Sequence, residues 1–147
     1  MPSYHFLTHP TEAQIRDIIR LYEGEGWWEG GADNPETVRK IVAGSHCFVI
    51  VTENNAVIAM GRAISDRASD AYVQDVTVLP EFRGAGIGTR IIRMIMERLT
   101  ADGIGWIGLI AEKNASPFYA PLGFSVMPDA LPMLCKSASG KTEPKKK

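Results

Sequence analysis

The chain reads as one mixed α/β domain, an α+β sheet in which antiparallel pairing gives way to a parallel crossover. Three observations carry that reading. Two capped, helix-periodic stretches come early. Three β-rich runs then follow in close succession. The last of them, "DAYVQDVTVL", leads through a glycine-dense turn into a long apolar-periodic helix and on to another apolar run. A strand–helix–strand unit in one sheet requires a parallel crossover. The expected order is β-α-α-β-β-β-α-β-α-β-β. At 147 residues, one domain is the default.

Taken in turn, "YHFLT" (4–8) alternates and predicts a short strand. Thr11 stands as an N-cap with Gln14 three residues on, the capping-box spacing. Ile15, Ile18, Ile19 and Tyr22 then share a helical face, and Gly24 and Gly26 stop the helix. "NPETVRKIVAGS" repeats the pattern, with Asn34 as cap, Pro35 in the first turn and Gly44 as stop. "HCFVIVTENNAVIAMGRAIS" is two strands joined at Glu53-Asn54-Asn55, a hairpin signal. After the glycine turn, a helix is expected over about residues 86–100. Ile87, Gly88, Ile91, Ile92, Ile95, Met96 and Leu99 lie on one side of it, and Arg90, Arg93 and Glu97 on the other. "GWIGLIA" (105–111) predicts a buried strand, "NASPFYAPL" a short helix ended by Gly123, and "GFSVMP" and "LPMLCK" two last strands. The domain is expected over 1–136. The tail 137–147, "SASGKTEPKKK", has no apolar content and predicts a disordered, Lys-rich end.

Composition narrows the class. Hydrophobic residues make up 45%, enough for a packed core, and the formal net charge is −1. That balance disfavours a nucleic-acid partner, which usually meets a basic face. No apolar run approaches the roughly 18 residues a membrane span needs. The first residues lack the basic and apolar regions of a signal peptide, so a cytoplasmic protein with no membrane partner is expected. Cys47 and Cys135 lie in apolar segments and read as two buried free thiols. His5, His9 and His46 are scattered without ligand spacing, and no metal site is expected.

The stretch that carries chemistry is "LPEFRGAGIGTR" (79–90), with Gly84, Gly86 and Gly88 in five residues. A helix N-terminus leaves amide N–H groups unpaired and partly positive, and glycines let them approach a phosphate. A phosphate loop of the GxxxxGK type fails, because Thr89 and Arg90 follow Gly88. A dinucleotide fingerprint is weak, because the spacing is GxGxG and lies deep in the chain. A turn shaped only by tight packing is the remaining alternative.

Arg83-Gly84-Ala85-Gly86-Ile87-Gly88, led in by "VTVLPEF" and followed 30 residues later by "PFYAPLGF", resembles the GCN5-related N-acetyltransferase (GNAT) family. The resemblance covers residues 4 to 136 in element order and implies the GNAT acyl-CoA N-acyltransferase fold. It implies acetyl-coenzyme A (acetyl-CoA) as cosubstrate, without a metal. Arg83, Gly84, Ala85, Gly86, Ile87, Gly88 and Thr89 would take the pyrophosphate. The backbone of Val76, Thr77 and Val78 would pair with the pantetheine arm, and Asn114 would hydrogen-bond it. Tyr119 falls where the family often places the acid that protonates the departing thiolate; Asn114 as a helix cap and Tyr119 as a core side chain are the plainer readings.

For the general base the resemblance points to Gln74 and Tyr72, and neither is basic at neutral pH. Asp75 is adjacent, but strand alternation turns it to the other face unless a bulge intervenes. An ion pair with Arg62 or Arg67 is as good an account of it as catalysis. Deprotonation through water stays open. "LYEGEGWWEGG" (21–31) borders the acceptor site in this fold. Its Glu23, Glu25 and Glu29 could attract a cationic amine, and tryptophan faces bind cations; a Trp plugging the core beside a solvated acidic loop is the plainer reading. The candidate acceptor residues are Tyr22, Trp27, Trp28, Gln74 and Asp75. The function expected is acetyl transfer from acetyl-CoA to a primary amine of a small molecule, by direct attack in a ternary complex. The alternatives are a protein lysine or N-terminal acetyltransferase and a non-catalytic CoA-binding regulatory domain. A homodimer is common in the family.

Overall fold

The computed structural model describes residues 1–30 and 34–135. The lysine-rich tail expected over 137–147 lies outside the described residues. Five strands form one sheet in the order β1-β2-β3-β4-β5: β1 Ser3–Phe6, β2 Cys47–Glu53, β3 Ala56–Ser65, β4 Asp70–Val78 and β5 Trp106–Leu109. The first three pairings are antiparallel and the last is parallel. Helices α1 (Glu12–Gly24) and α2 (Asn34–Gly44) cover one face, and α3 (Ile87–Ala101) covers the other. A single turn, α4 (Ser116–Tyr119), follows β5.

The local grammar of the sequence explains most of these elements. Thr11 accepts from the Gln14 amide, and the Gln14 side chain accepts from the Thr11 amide, so the capping box closes. Asn54 and Asn55 both take positive φ, 51° and 64°, in the two-residue turn between β2 and β3. The face of α3 that carries Ile87, Ile91, Ile92, Ile95 and Leu99 is buried against the sheet. Ile15, Ile18, Leu21 and Tyr22 of α1 pack with Phe48, Ile50 and Met60 on the other face.

Three expectations need correction. The two last strands, expected at "GFSVMP" and "LPMLCK", do not form among the described residues: 123–135 hold no strand. A strand needs a partner for each amide, and Pro128 and Pro132 offer none. Val126, Leu131 and Met133 are instead 81–90% exposed. Cys135 is therefore exposed, while Cys47 is buried as expected. Burial pushes the Cys47 thiol up to about 11. Lastly, β5 is shorter than expected and only partly buried, because it is the edge of the sheet and Trp106 faces outward.

Gly61 marks a close approach of α3 to the sheet. A Cβ there would stand 2.6 Å from Ile91 Cγ2 and 3.2 Å from Val76 Cγ2. Gly61→Ala should therefore destabilise the fold by about 1–3 kcal/mol through overpacking. Denaturant unfolding checks this, and an unchanged midpoint would mean that α3 shifts freely.

Candidate active site

Strands β4 and β5 part company halfway. Their pairing runs from Asp70↔Trp106 to Val73↔Leu109 and stops. Beyond it, β4 continues to Val78 with β3 as its neighbour, while the other chain turns away through Ile110 and Glu112. Residues 74–78 of β4 thus face an open cleft on one side. A cavity of about 670 Å³ fills it, lined by Val73–Val78 on one wall and by Ile110, Glu112, Lys113, Phe118 and Tyr119 on the other.

The glycine turn closes one end. Gly84 and Gly86 have φ of 84° and 81°, the left-handed region that strains other residues. Gly86 is the N-cap of α3, and the first helical bond runs from the Arg90 amide to the Gly86 carbonyl. The Ile87–Thr89 amides at the start of the helix are then left for an outside acceptor. No atom lies within 4 Å of a Cβ placed on Gly84 or Gly86, so the space above them is open. Gly88 is small for another reason: a Cβ there would stand 3.3 Å from Phe118 Cζ. The turn combines an anion cradle with a packing contact, and these residues fit a pyrophosphate.

Arg83 bends back over the cleft. Its Nε donates to the Val78 carbonyl at 2.9 Å, and its Nη2 meets Glu25 Oε1 at 3.1 Å. The same Glu25 oxygen accepts from Thr77 Oγ1 at 2.8 Å, and Lys113 Nζ stands 3.6 Å from Glu25 Oε2. Glu25, just past α1, thereby ties the first helix to β4, the turn and the far wall.

Tyr119 lines the cavity, its ring edge-on to Phe118 and Phe124 at 4.9 and 5.8 Å. Burial, then the Glu112 charge, holds its hydroxyl above the ordinary tyrosine range. It is protonated at neutral pH and able to donate.

Asp75 is the surprise of β4. The β3–β4 register passes from Met60↔Thr77 to Arg62↔Gln74, so Asp75 and Val76 oppose Gly61 alone. Asp75 itself has a φ of 57°. This bulge turns Asp75 toward α1, the face that Gln74 also uses. Its Oδ2 accepts from Tyr22 Oη and from Arg62 Nε, both at 2.7 Å. Arg62 is thus the partner, and Arg67 goes to the Ser45 carbonyl. The Asp75 side chain is fully buried and that of Arg62 is 11% exposed. Burial, and then the Asp75 charge, drives the Tyr22 hydroxyl far above its ordinary range.

The candidate residues separate accordingly. Val76, Thr77, Val78, Arg83, Gly84, Gly86, Ile87, Gly88, Thr89, Gln74, Asp75, Trp27 and Tyr119 line the one cavity. Ala85 and Asn114 do not line it; Asn114 sits in a left-handed turn before α4. Tyr22 is buried beneath the wall, and Trp28 stacks on it at 4.0 Å. Sequence reasoning passed over Glu112 and Lys113, whose signal was a charged pair between an apolar strand and "NASPFY".

A sheet parted above a glycine-rich helix N-terminus, with a tyrosine across the gap, defines an acyltransferase domain. The model of the acetyltransferase (GNAT) domain matches residues 43–126, more than half of the chain. The chain belongs to the GNAT acetyltransferase family. It is 35% identical over 131 residues to the uncharacterized N-acetyltransferase ycf52 of Pyropia yezoensis, covering 86% of this chain and 73% of that one. It is 42% identical over 78 residues to the chloroplastic serotonin N-acetyltransferase 2 of Oryza sativa subsp. japonica, and 37% identical over 79 to the histone acetyltransferase TAP1 of Glycine max. Those matches cover 50% and 54% of this chain, and only 37% and 34% of the plant proteins. Among solved structures, a predicted acetyltransferase from Clostridium acetobutylicum with acetyl-CoA superposes with a TM-score of 0.70 at 20% identity, over 91% of this chain and 96% of that one. That likeness is one of fold.

Arg62→Met should cost about 3–5 kcal/mol in denaturant unfolding, because it removes the cation from the buried Asp75 carboxylate. The double variant R62M/D75V should regain most of that loss. A loss below about 1 kcal/mol for Arg62→Met would mean that the pair behaves like an exposed one.

Proposed function

We propose that the chain transfers the acetyl group of acetyl-CoA to a primary amine of a small molecule, by direct attack in a ternary complex. One observation carries the reading: β4 loses its β5 partner after Val73, directly above an open helix N-terminus. The edge of 76–78 that lacks a strand neighbour, where Arg83 holds the Val78 carbonyl, suits an extended amide-bearing arm, which would pair as an added strand. The α3 N-terminus and the Gly84–Gly86 amides suit the pyrophosphate at the end of that arm.

Attack of the amine on the thioester carbonyl forms the C–N bond and a tetrahedral intermediate. Its collapse breaks the C–S bond and leaves a thiolate. Tyr119 supports that step, since its hydroxyl holds a proton well above the pH at which a thiol ionises. Cys47 is buried and its thiol pushed up, which disfavours an acetyl-cysteine intermediate.

The small-amine reading rests on the acceptor end. Trp27 is 9% exposed and lines the cavity beside Asp75 and Glu25, an apolar face among acids. Such a wall favours the apolar body of an arylalkyl amine. The serotonin N-acetyltransferase among the relatives favours the same class, and the histone acetyltransferase favours a lysine side chain.

Calorimetric titration with acetyl-CoA should give micromolar binding that Gly86→Glu abolishes, because the new carboxylate faces the phosphates and strains at positive φ. Retained affinity would remove the turn from the site. Thiol release should then be followed with tryptamine, phenethylamine, spermidine and a lysine-bearing peptide. Tryptamine or phenethylamine should be preferred, and preference for the peptide would overturn the small-molecule reading. Tyr119→Phe should lower turnover on the preferred amine about 100-fold or more while leaving acetyl-CoA affinity unchanged. An unchanged rate would end its role as the acid.

A further inference from the structure

Three carboxylates border the cavity, and the structure treats them differently. Asp75 Oδ2 is engaged by Tyr22 and Arg62. Glu25 is engaged through both oxygens, by Thr77 and Arg83 on one and Lys113 on the other. Glu112 is the exception. Its Oε1 is buried and has no hydrogen-bond partner among the described residues. A buried carboxylate oxygen without a donor is unfavourable, and protein structures keep few of them. One that lines a substrate cavity is a place where the substrate supplies the donor.

Its position fits that role. Glu112 follows β5 just where the chain turns from β4, so it stands on the wall opposite the open stretch 74–78. Tyr119 lines the same wall, and the Glu112 charge is felt at its hydroxyl. The two groups thus line the same wall, close enough for the charge of one to act on the other. An ammonium nitrogen has three donors and no acceptor. It satisfies the orphaned oxygen and brings its proton to a carboxylate.

We propose that Glu112 is the catalytic base, receiving the acceptor's ammonium group on Oε1 and taking its proton before attack. The inference rests on the acetyltransferase reading above. The step balances as follows. The ammonium ion gives one proton to the Glu112 carboxylate, and the neutral amine attacks the thioester carbon. The intermediate loses its second proton as the C–S bond breaks. Tyr119 protonates the thiolate, and the intermediate's proton returns to Tyr119. Glu112 releases its proton to solvent, so the products are the amide, free coenzyme A thiol and one proton.

The decisive comparison uses two kinds of nucleophile. Hydroxylamine is uncharged at neutral pH and needs no base before it attacks; the amines of the panel are ammonium ions and do. Full-length wild type and Glu112→Gln are compared for thiol release at saturating acetyl-CoA, with enzyme-free rates subtracted. Glu112→Gln should lose about 100-fold or more of kcat/KM on the best ammonium acceptor, while its rate on hydroxylamine stays within about threefold of wild type. Glu112→Asp should recover part of the loss. Acetyl-CoA affinity and the unfolding midpoint report separately on the fold. Equal losses on both nucleophiles would assign Glu112 a structural role, and no loss on either would leave it idle; both overturn the proposal. Wild type that binds acetyl-CoA yet acetylates no ammonium acceptor would overturn the acetyltransferase reading itself, and the inference with it.

Discussion

The structure turns on the point where β4 gives up its parallel neighbour. Up to Val73 the strand is held on both sides, and past it on one. Unpaired strand edges are costly inside a protein, since every amide there seeks a partner. The fold keeps this edge open by holding it from elsewhere. β3 pairs with β4 out to Val78, α3 packs beneath through Ile87 and Ile91, and the Arg83 guanidinium grips the Val78 carbonyl. Rigidity on one side is what permits a cleft on the other.

The bulge at Asp75 lies inside this unsupported stretch. It sends Gln74 and Asp75 together to the α1 face and returns Val76 and Val78 to the α3 face. A buried acid is the consequence, and Arg62 and Tyr22 neutralise and bond it. With two donors on one oxygen and a cation alongside, Asp75 is better placed to fix α1 against the sheet than to collect protons. Glu25 does comparable work nearer the surface, linking α1 to Thr77, Arg83 and Lys113. Both acids have cationic partners in the protein, and so the acceptor end of the cleft is quieter in charge than its composition suggests.

Local chemistry in the sequence foretold the elements that local chemistry decides. The Thr11–Gln14 capping box, the Asn54-Asn55 turn and the left-handed glycines before α3 each depend on a few neighbouring residues, and each stands where the sequence placed it. What escaped depends on partners distant in sequence. The strands expected after Gly123 have β-forming residues but no neighbour among the described residues. The face that Asp75 takes hinges on a bulge, which alternation could raise only as a condition. Asn114 is matched by motif spacing but does not line the cavity, while its equally left-handed neighbour Lys113 does. Glu112 carried no motif at all. Its interest comes from an oxygen buried without a donor, a property only coordinates possess.

The division of labour among the acids follows from burial and position. An acid deep in the sheet is costly unless the protein pairs it, and Asp75 meets that demand with Arg62. An acid at the far rim can keep an oxygen in reserve, because the cleft admits a cation from outside. A proton acceptor needs that reserve, since a carboxylate already shared between two protein donors is held in its charged form and gives up basicity. The cavity therefore separates two tasks on opposite walls. The β4 wall holds the helix and strand in register, and the opposite wall carries Glu112 and Tyr119, the two groups to which the proposed mechanism assigns protons.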